Sequence, residues 1–138
     1  MGREWAKDIV SNQYLIDQPT YAYTLNNSIP TDHSQLWTGS AGASYLLMGT
    51  RFSVDMIFGS GLRDGFANLE TVPAYASANI GLSHSFKWSP NYKPLTVRFD
   101  VVNVLDSVYE IRDGTGVGVF APQYGPRRGF FVGLSQAL

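Results

Sequence analysis

The chain contains no cysteine, few charges and no long apolar run. Without cysteine it has no disulfide framework and no thiolate metal site. Charged residues form 15% of the sequence, against roughly 25% in an average globular domain, and a net charge of −1 gives no support for a nucleic-acid partner. No run of about 18 apolar residues is present, which excludes a transmembrane helix. The first residues, MGREWAKDIVSNQ, lack the apolar core of a secretory signal, so an exported protein with this sequence would be part of a longer precursor.

Strand signals are present where helix signals are scarce. The 14 glycines and 7 prolines are spread along the chain and interrupt most helical windows. Five stretches instead alternate apolar and polar residues with a period of two, which is typical of strands with one apolar face. These stretches are 35–47, 50–59, 73–86, 95–102 and 124–138, and a weaker sixth is DIVSNQYLI at 8–16. The pattern predicts an all-β fold, an antiparallel meander of about six strands.

The connections between these stretches alternate in length. Long polar loops are predicted near 18–34, 62–71 and 106–128, whereas a tight turn at Met48-Gly49 and the short link KWSPNYKP join the other pairs. Long connections therefore lie at one end of the predicted sheet and short ones at the other. Transmembrane β-barrels of outer membranes have this asymmetry, with short periplasmic turns and long extracellular loops.

Alternation alone also fits a soluble β-sheet with one wet face. Three features favour a membrane sheet. The polar positions hold glycine, serine, threonine and asparagine rather than many charges, and the strands are about 10 residues long, as tilted membrane strands are. Trp37 and Tyr45 lie on one face at a separation of roughly 20 Å, close to the height of the apolar band of such barrels.

Two short motifs lie in order in the second half of the chain. The first is Asn103, Val104, Leu105 and Asp106, with Tyr109 after it, and the second is Gly125, Pro126 and Arg127. This order resembles the C-terminal end of TonB-dependent outer-membrane receptors, in which a strand leads into an Asn-(Leu/Val)-(Phe/Leu)-Asp turn, a tyrosine, a glycine-rich loop, a GxPR element and the last strand. The preceding stretches GTRFSVDMIFGSGLRDG and VPAYASANIGLSHSF are also similar to the family, so the resemblance covers residues 35–138, and 1–34 more loosely.

The resemblance implies a receptor of about 22 strands, closed by a plug domain, that imports a scarce ligand such as a ferric siderophore with energy from TonB. Residues 1–138 would then be the C-terminal barrel segment, without the plug domain and the earlier strands. The implied location is the outer membrane of a Gram-negative bacterium. The implied partners are outer-membrane lipid, the rest of the barrel and its plug, TonB through the missing N-terminal part, and the barrel-assembly machinery. No enzymatic activity and no cofactor are implied.

Three sets of candidate functional residues follow. Polar residues expected to face the barrel lumen, where they could pair with each other or with the plug, are Arg51, Asp55, Asn79, Arg98 and Asp100. Candidates for ligand contact in the extracellular loops are Arg112, Asp113 and Tyr124. The last strand would carry the signal that the barrel-assembly machinery reads, at Phe130, Val132, Leu134 and Leu138. Leu138 replaces the usual terminal phenylalanine, and Gln136 stands where an aromatic residue is common.

Other chemistries find little support. The glycines at 114, 116 and 118 faintly resemble a phosphate-binding loop, but no helical pattern follows them, so a surface loop is expected. His33 and His84 have no partner at metal-ligand spacing, and no nucleophile elbow is present. We therefore predict no catalytic residue and no metal. Two alternatives stay open: a small self-contained outer-membrane barrel, and a soluble binding module of the lipocalin or sandwich type.

Overall fold

The computed structural model describes residues 2–9, 16–118 and 120–136. In these residues the chain is all-β with antiparallel sheets, as the alternation predicts. The helical elements are α1 (Gln18–Asn26) and a 3-10 turn (Phe66–Asn68). The strands in chain order are β1 (Trp5–Ala6), β2 (Ile29–Pro30), β3 (Thr38–Leu47), β4 (Thr50–Gly59), β5 (Arg63–Asp64), β6 (Glu70–Thr71), β7 (Tyr75–Phe86), β8 (Leu95–Val102), β9 (Glu110–Arg112), β10 (Gln123–Tyr124) and β11 (Gly129–Gln136).

The five long strands form one sheet in the order β3–β4–β7–β8–β11. Each long strand is hydrogen-bonded to the next long strand of the chain, so the predicted meander is confirmed, with five strands in the described residues. The predicted sixth strand at 8–16 lies mostly outside them: residues 10–15 are not described, and the nearest described strand is β1. None of the helices in the described ranges is long and apolar enough to cross a membrane.

The Met48-Gly49 turn joins β3 and β4 as predicted. Both residues have positive φ, 48° at Met48 and 78° at Gly49. Two-residue hairpins prefer this conformation because its twist matches that of the paired strands. Glycine adopts it without steric cost, which places Gly49 well at the second position.

The prediction of a loop over 18–34 was wrong at its start, where α1 lies. The carboxylate of Asp17 accepts a hydrogen bond from the backbone N–H of Thr20, 3.0 Å away, and so caps the helix. This bond also lowers the pKa of Asp17. Pro19 stands in the first turn, where its missing N–H costs nothing. The pattern Asp-x-Pro is a helix start, and no glycine or proline interrupts the residues that follow.

The other predicted long loops contain short ladders. β5 pairs with β6 within 62–71, and β9 pairs with β10 within 106–128, both antiparallel. A third ladder joins β1 to β2. Strands of two or three residues are too short for alternation to reveal them, which explains why the sequence pattern indicated loops there.

The chain divides into two compact units. We call the first the loop unit (Met1–Gly39, Phe58–Tyr75 and Val108–Gly125) and the second the sheet unit (Ser40–Ile57, Ala76–Ser107 and Pro126–Leu138). The loop unit has a conventional small core, whose buried apolar residues are Ile16, Ile29, Ala67 and Val72. In the described part of the sheet unit, Val101 is the one buried apolar side chain.

Candidate functional site: a two-faced sheet

One face of the sheet unit is apolar across neighbouring strands. The pairing of β7, β8 and β11 places Leu82, Phe99 and Val132 in one row, because Phe99 is the partner of the other two. The next row toward the end of β8 holds Ile80, Val101 and Phe130 in the same way. Side chains in register on one face touch their cross-strand neighbours. The alternation of each strand therefore adds up to one continuous surface.

The apolar face is open along its length. Val132 keeps 73% and Phe130 66% of their surface exposed. A depression of about 550 Å³ runs along this face, and its lining includes Tyr45, Phe52, Val54, Leu82 and Phe99. Because these residues come from four strands, the exposed apolar area is contiguous rather than scattered. Soluble monomers rarely expose contiguous apolar patches beyond a few hundred Å².

The opposite face carries the five polar residues predicted to face a lumen. Arg98 forms an ion pair with Asp100, with 2.6 Å between Nε and Oδ2. Asn79 donates from Nδ2 to Oδ1 of Asp55 at 2.8 Å. Arg51 donates to the hydroxyl of Ser44 at 3.3 Å. All five lie on one face and make polar contacts within the sheet; that this face borders a lumen stays a prediction.

Gly81 allows the polar side chains to converge at the middle of this face. It is paired with Asp100 across β7 and β8, and its carbonyl accepts a hydrogen bond from the Ser53 hydroxyl at 3.3 Å. A Cβ at this position would lie 2.5 Å from the Ser53 oxygen and 2.8 Å from a carboxylate oxygen of Asp100. Any larger residue would therefore push these two side chains apart.

A buried asparagine anchors the turn that follows β8. Asn103 has no exposed surface and a φ of 49°, a left-handed conformation that asparagine tolerates. Its Nδ2 donates to the carbonyls of Ser107 (2.8 Å) and Pro126 (2.9 Å), and its Oδ1 accepts from the Ser107 N–H at 3.0 Å. Its own N–H donates to Oδ1 of Asn79 at 2.9 Å. One side chain thus ties the turn after β8 to β7 and to the segment before β11.

Asp106 completes the same turn by binding two arginines. Arg127 donates from Nε and from a terminal nitrogen to the two carboxylate oxygens, at 2.9 and 2.7 Å, and the backbone N–H of Arg128 adds a bond of 3.0 Å. The hydrogen bond from Arg127 and that from the Arg128 backbone hold the pKa of Asp106 well below its usual range. The carboxylate raises the pKa of Arg127 in return. This bidentate geometry is the strongest form of an arginine–carboxylate pair.

The sequence pattern did not indicate these contacts. It presented 103–106 and 125–127 only as two separate motifs of a resemblance, 21 residues apart at Asp106 and Arg127. The available signal was chemical: an asparagine at a turn, and an aspartate that could pair with an arginine later in the chain. The alternation pattern does not indicate which of the seven arginines pairs with Asp106, because pairing across a long connection depends on strand order.

The three predicted ligand-contact residues all lie in the loop unit. Arg112 is 9% exposed at its side chain and forms an ion pair of 2.8 Å with Asp32, which also contacts His33 at 2.7 Å. Asp113 accepts from the backbone N–H and hydroxyl of Thr115. Tyr124 is exposed, and its pKa is raised by the neighbouring Glu110 carboxylate. Arg112 and Asp113 thus have structural partners, and a ligand role stays a prediction for all three.

The residues proposed as an assembly signal lie on the edge strand of the described sheet. Phe130, Val132 and Leu134 belong to the apolar face and are exposed on β11. Phe130 stacks on Phe99, with 6.4 Å between ring centroids, and the Arg128 guanidinium lies 6.0 Å from its ring. Leu138 lies outside the described residues.

Two further motifs of the sequence have a clear position. Gly114, Gly116 and Gly118 all have positive φ, and the next described element is the strand β10 rather than a helix. Among the described residues, no group of three or more histidine or acidic side chains is placed to hold a metal ion.

A scan against protein-family models and searches of curated proteins and of solved structures each found no match for this chain.

Proposed function

We propose that this chain forms part of the wall of a transmembrane β-barrel in an outer-membrane receptor, and that the receptor takes up a scarce ligand such as a ferric siderophore with energy from TonB. The observation that carries the proposal is the apolar face of the sheet unit, exposed over five neighbouring strands. Burial of such a surface is worth about 25 cal/mol per Å². The face therefore requires an apolar environment, and lipid supplies one without any further protein.

Strand length agrees with this environment. β3 and β4 each have 10 residues. At about 3.3 Å per residue and a tilt of about 40°, such a strand spans roughly 25 Å, the height of the apolar band of outer-membrane barrels. β7, with 12 residues, extends beyond the band, and β8 and β11, with 8 residues each, span roughly 20 Å of it. These lengths support a membrane wall over a soluble sandwich, whose strands are usually five or six residues long.

The polar face supports a barrel interior in contact with protein or water. Its charges are few: Arg98 forms an ion pair with Asp100, and Asp55 accepts a hydrogen bond from the amide of Asn79. If a plug domain fills the lumen, the polar groups of this face are buried beneath it and need hydrogen-bond partners. Partners within the face itself meet part of this need. The sheet thus has one face suited to lipid and one suited to a filled interior.

The receptor assignment is supported by the turn after β8. The two motifs that carry the resemblance, Asn103 to Asp106 and Gly125 to Arg127, are joined through Asn103 and Pro126 and through Asp106 and Arg127. Residues that depend on each other in this way form one structural unit. Their joint presence is therefore stronger support than two separate short motifs.

The test compares adjacent residues on the two faces. Val54 lines the apolar depression, while Ser53 contacts Gly81 on the polar face near Asp100. In the barrel polypeptide that contains this segment, Val54→Arg should cost about 2–4 kcal/mol of folding free energy in lipid vesicles. Ser53→Arg should cost much less, since it places a cation near carboxylates. Val54→Leu controls for size alone.

Folding is measured as the fraction of protein that becomes protease-resistant in vesicles at increasing urea concentration. Equal tolerance of the two arginine variants would contradict the proposed orientation of the sheet. A parent that folds fully in detergent-free buffer would favour the soluble alternative.

A further inference from the structure

Residues 113–118 form a strap on the turn that joins β5 to β6. The hydroxyl of Thr115 accepts a hydrogen bond from the backbone N–H of Gly65 at 2.9 Å. Val117 binds the same turn through its own peptide groups: its N–H donates to Oδ1 of Asn68 at 2.7 Å, and its carbonyl accepts from Nδ2 at 2.9 Å. Asn68 is itself buried. Thr115 and Val117 therefore attach the strap to the turn.

The backbone of the strap can change direction at three positions. Gly114, Gly116 and Gly118 alternate with the two attached residues and have φ values of 91°, 82° and 151°. Glycine moves between such conformations and those of negative φ without a steric penalty. The hydrogen bonds to Gly65 and Asn68 thus hold a segment whose own backbone imposes little restraint.

The strap forms one wall of an acidic cavity of about 490 Å³. The other walls are the start of α1 and the β5–β6 hairpin. Among the described residues the lining holds no lysine or arginine, and four carboxylates line it, those of Asp17, Asp64, Glu70 and Asp113. The hydroxyl of Thr115 that accepts from the Gly65 N–H also donates to the Asp113 carboxylate at 2.9 Å. One hydroxyl therefore links the acidic residue of the strap to the residue that follows Asp64.

Asp64 has unfavourable surroundings for a negative charge. Its Oδ1 is buried and has no hydrogen-bond partner in the described chain. Burial, and then the charges of Asp113, Glu70 and Glu110, raise the pKa of this carboxyl. Asp17 differs, because it caps α1 and the hydrogen bonds of that cap lower its pKa. The closed strap therefore opposes ionisation at Asp64 in particular.

The cations of the neighbouring elements do not offset this charge. On β9, Arg112 is already paired with Asp32, with 2.8 Å between Nη1 and Oδ2. On β5, Arg63 precedes Asp64, and successive residues of a strand point to opposite faces. Neither α1 nor the strap contains a lysine or an arginine.

We propose that these residues form a pH-dependent latch: the strap closes the acidic cavity in acid and is released as the pH rises. With a proton on Asp64, the cavity has one charge fewer and the carboxyl group can donate a hydrogen bond. Ionisation of Asp64 adds a charge beside that of Asp113, so the strap and the hairpin repel each other. Release of the strap separates these charges and exposes Asp64 to water.

The direction of the pH effect follows from the state that binds the proton. Asp64 holds its proton more tightly when the strap is closed, so low pH favours closure and rising pH favours release. Only the hydrogen bonds through Thr115 and Val117 oppose that release. The latch lies in the loop unit alone and does not depend on the proposed function of the sheet.

Hydrogen exchange measures the opening of the latch. In the whole 138-residue chain in detergent micelles, NMR follows the amides of Gly65 and Val117 from about pH 4.5 to about pH 7.5. Each exchange rate is divided by the intrinsic rate at that pH, which gives a protection factor. We expect both factors to fall by about threefold or more over this range, and by no more than about tenfold per pH unit, the limit for one proton.

An amide elsewhere in the loop unit distinguishes the latch from wider unfolding. The N–H of Ser60 donates to the carbonyl of Trp37 at 3.0 Å, and neither residue lines the acidic cavity. Its protection factor should stay constant over the same pH range.

The first variants test the charge. Asp64→Asn removes the titrating group and keeps the shape of the side chain, so Gly65 and Val117 should keep high protection at every pH. Asp8→Asn is the matched control, because Asp8 is an exposed carboxylate of the loop unit that does not line the cavity. This control should show the same pH dependence as the native chain.

The second variants test the attachment. Thr115→Val removes the hydroxyl that holds Gly65, so the protection of Val117 should fall at every pH although its own hydrogen bonds to Asn68 are not altered. Thr115→Ser keeps a hydroxyl and should restore the native protection.

Protection factors of Gly65 and Val117 that do not change with pH would overturn the latch. A pH dependence that survives Asp64→Asn would overturn it as well. An equal fall at Ser60 would show that the loop unit unfolds as a whole, which also contradicts a local release of the strap.

Discussion

The loop unit and the sheet unit differ in what they bury. In the loop unit Ile29 is 1% exposed, and the buried Asn68 donates to the carbonyls of Pro30 and Val117 and accepts from the Val117 N–H. This is the ordinary composition of a small water-soluble core. In the described part of the sheet unit most large apolar side chains are exposed, whereas the polar Asn103 has no exposed surface. One unit therefore buries apolar side chains in a core, whereas the other exposes most of its large apolar side chains.

This difference shows what hydrophobic patterning specifies. Alternation assigns each residue of a strand to one of two faces. It does not determine whether protein, lipid or water covers a face. In the loop unit the chain itself covers Ile29 and Val72. In the sheet unit the described residues leave Phe130 and Val132 exposed.

The largest expected effect is on the behaviour of the chain in water. We expect the 138-residue chain to aggregate or to associate through its edges in detergent-free buffer. β3 and β11 have unpaired edges in the described sheet, and such edges pair with other chains. Size-exclusion chromatography with light scattering checks this. A sharp monomer peak near 15.2 kDa with a cooperative thermal transition would remove the contrast between the units.

The next effect compares one apolar side chain from each unit. Ile29→Ala should destabilise the chain by about 2–5 kcal/mol, because it leaves a cavity in a closed core. Val132→Ala, on the open apolar face, should change stability by no more than about 1 kcal/mol, since no cavity forms. Urea unfolding in detergent micelles measures both. A larger loss for Val132→Ala would show that packed protein, rather than a fluid phase, covers the sheet.

The long strands and their order could be predicted because each strand pairs with the next long strand in the chain. Each alternating stretch leads to the next through one connection, and neighbouring stretches pair in turn, as 95–102 does with 75–86. The helix α1 was missed for a different reason. Its residues carry little amphipathic pattern, and the helix depends on the Asp17 cap rather than on an apolar stripe.

The contacts of the polar face and of the turn after β8 were predicted only in part. Period two was enough to place Asp55 and Arg98 on one face. The network around Asn103 could not be predicted, because it links residues 79, 103 and 126 across two strand connections. These contacts depend on the register of the strands. The hydrophobic pattern limits the possible registers, but it does not determine which polar side chains meet.

The third effect concerns this network. Asn103→Ala should cost about 1–3 kcal/mol, since it leaves buried backbone groups of Ser107 and Pro126 without partners. Asn91→Ala removes an exposed asparagine from the short turn and should change little. The measurement is the midpoint of urea unfolding in micelles. Similar midpoints for the two variants would mean that water replaces the Asn103 side chain.

The smallest effect compares two carboxylates with opposite surroundings. In the sheet unit the Arg127 and Arg128 bonds lower the pKa of Asp106. In the loop unit burial, with Asp113, Glu70 and Glu110 nearby, raises the pKa of Asp64. One buried oxygen of Asp64 has no hydrogen-bond partner. Folding therefore favours the ionised form of Asp106 and disfavours the ionised form of Asp64.

The two residues should give opposite dependences on pH. Asp106 contributes stability above its unfolded pKa, and that contribution is lost as the pH falls below about 4 toward its lowered folded value. For Asp64 the folded state holds its proton more tightly, so stability decreases as the pH rises from about 4 through its raised folded pKa. At neutral pH, Asp106→Asn should therefore lower the thermal midpoint and Asp64→Asn should raise it. Both differences should shrink in acid, as followed by circular dichroism in micelles. A shift of the same sign for both variants would show that the two carboxylates do not differ in this way.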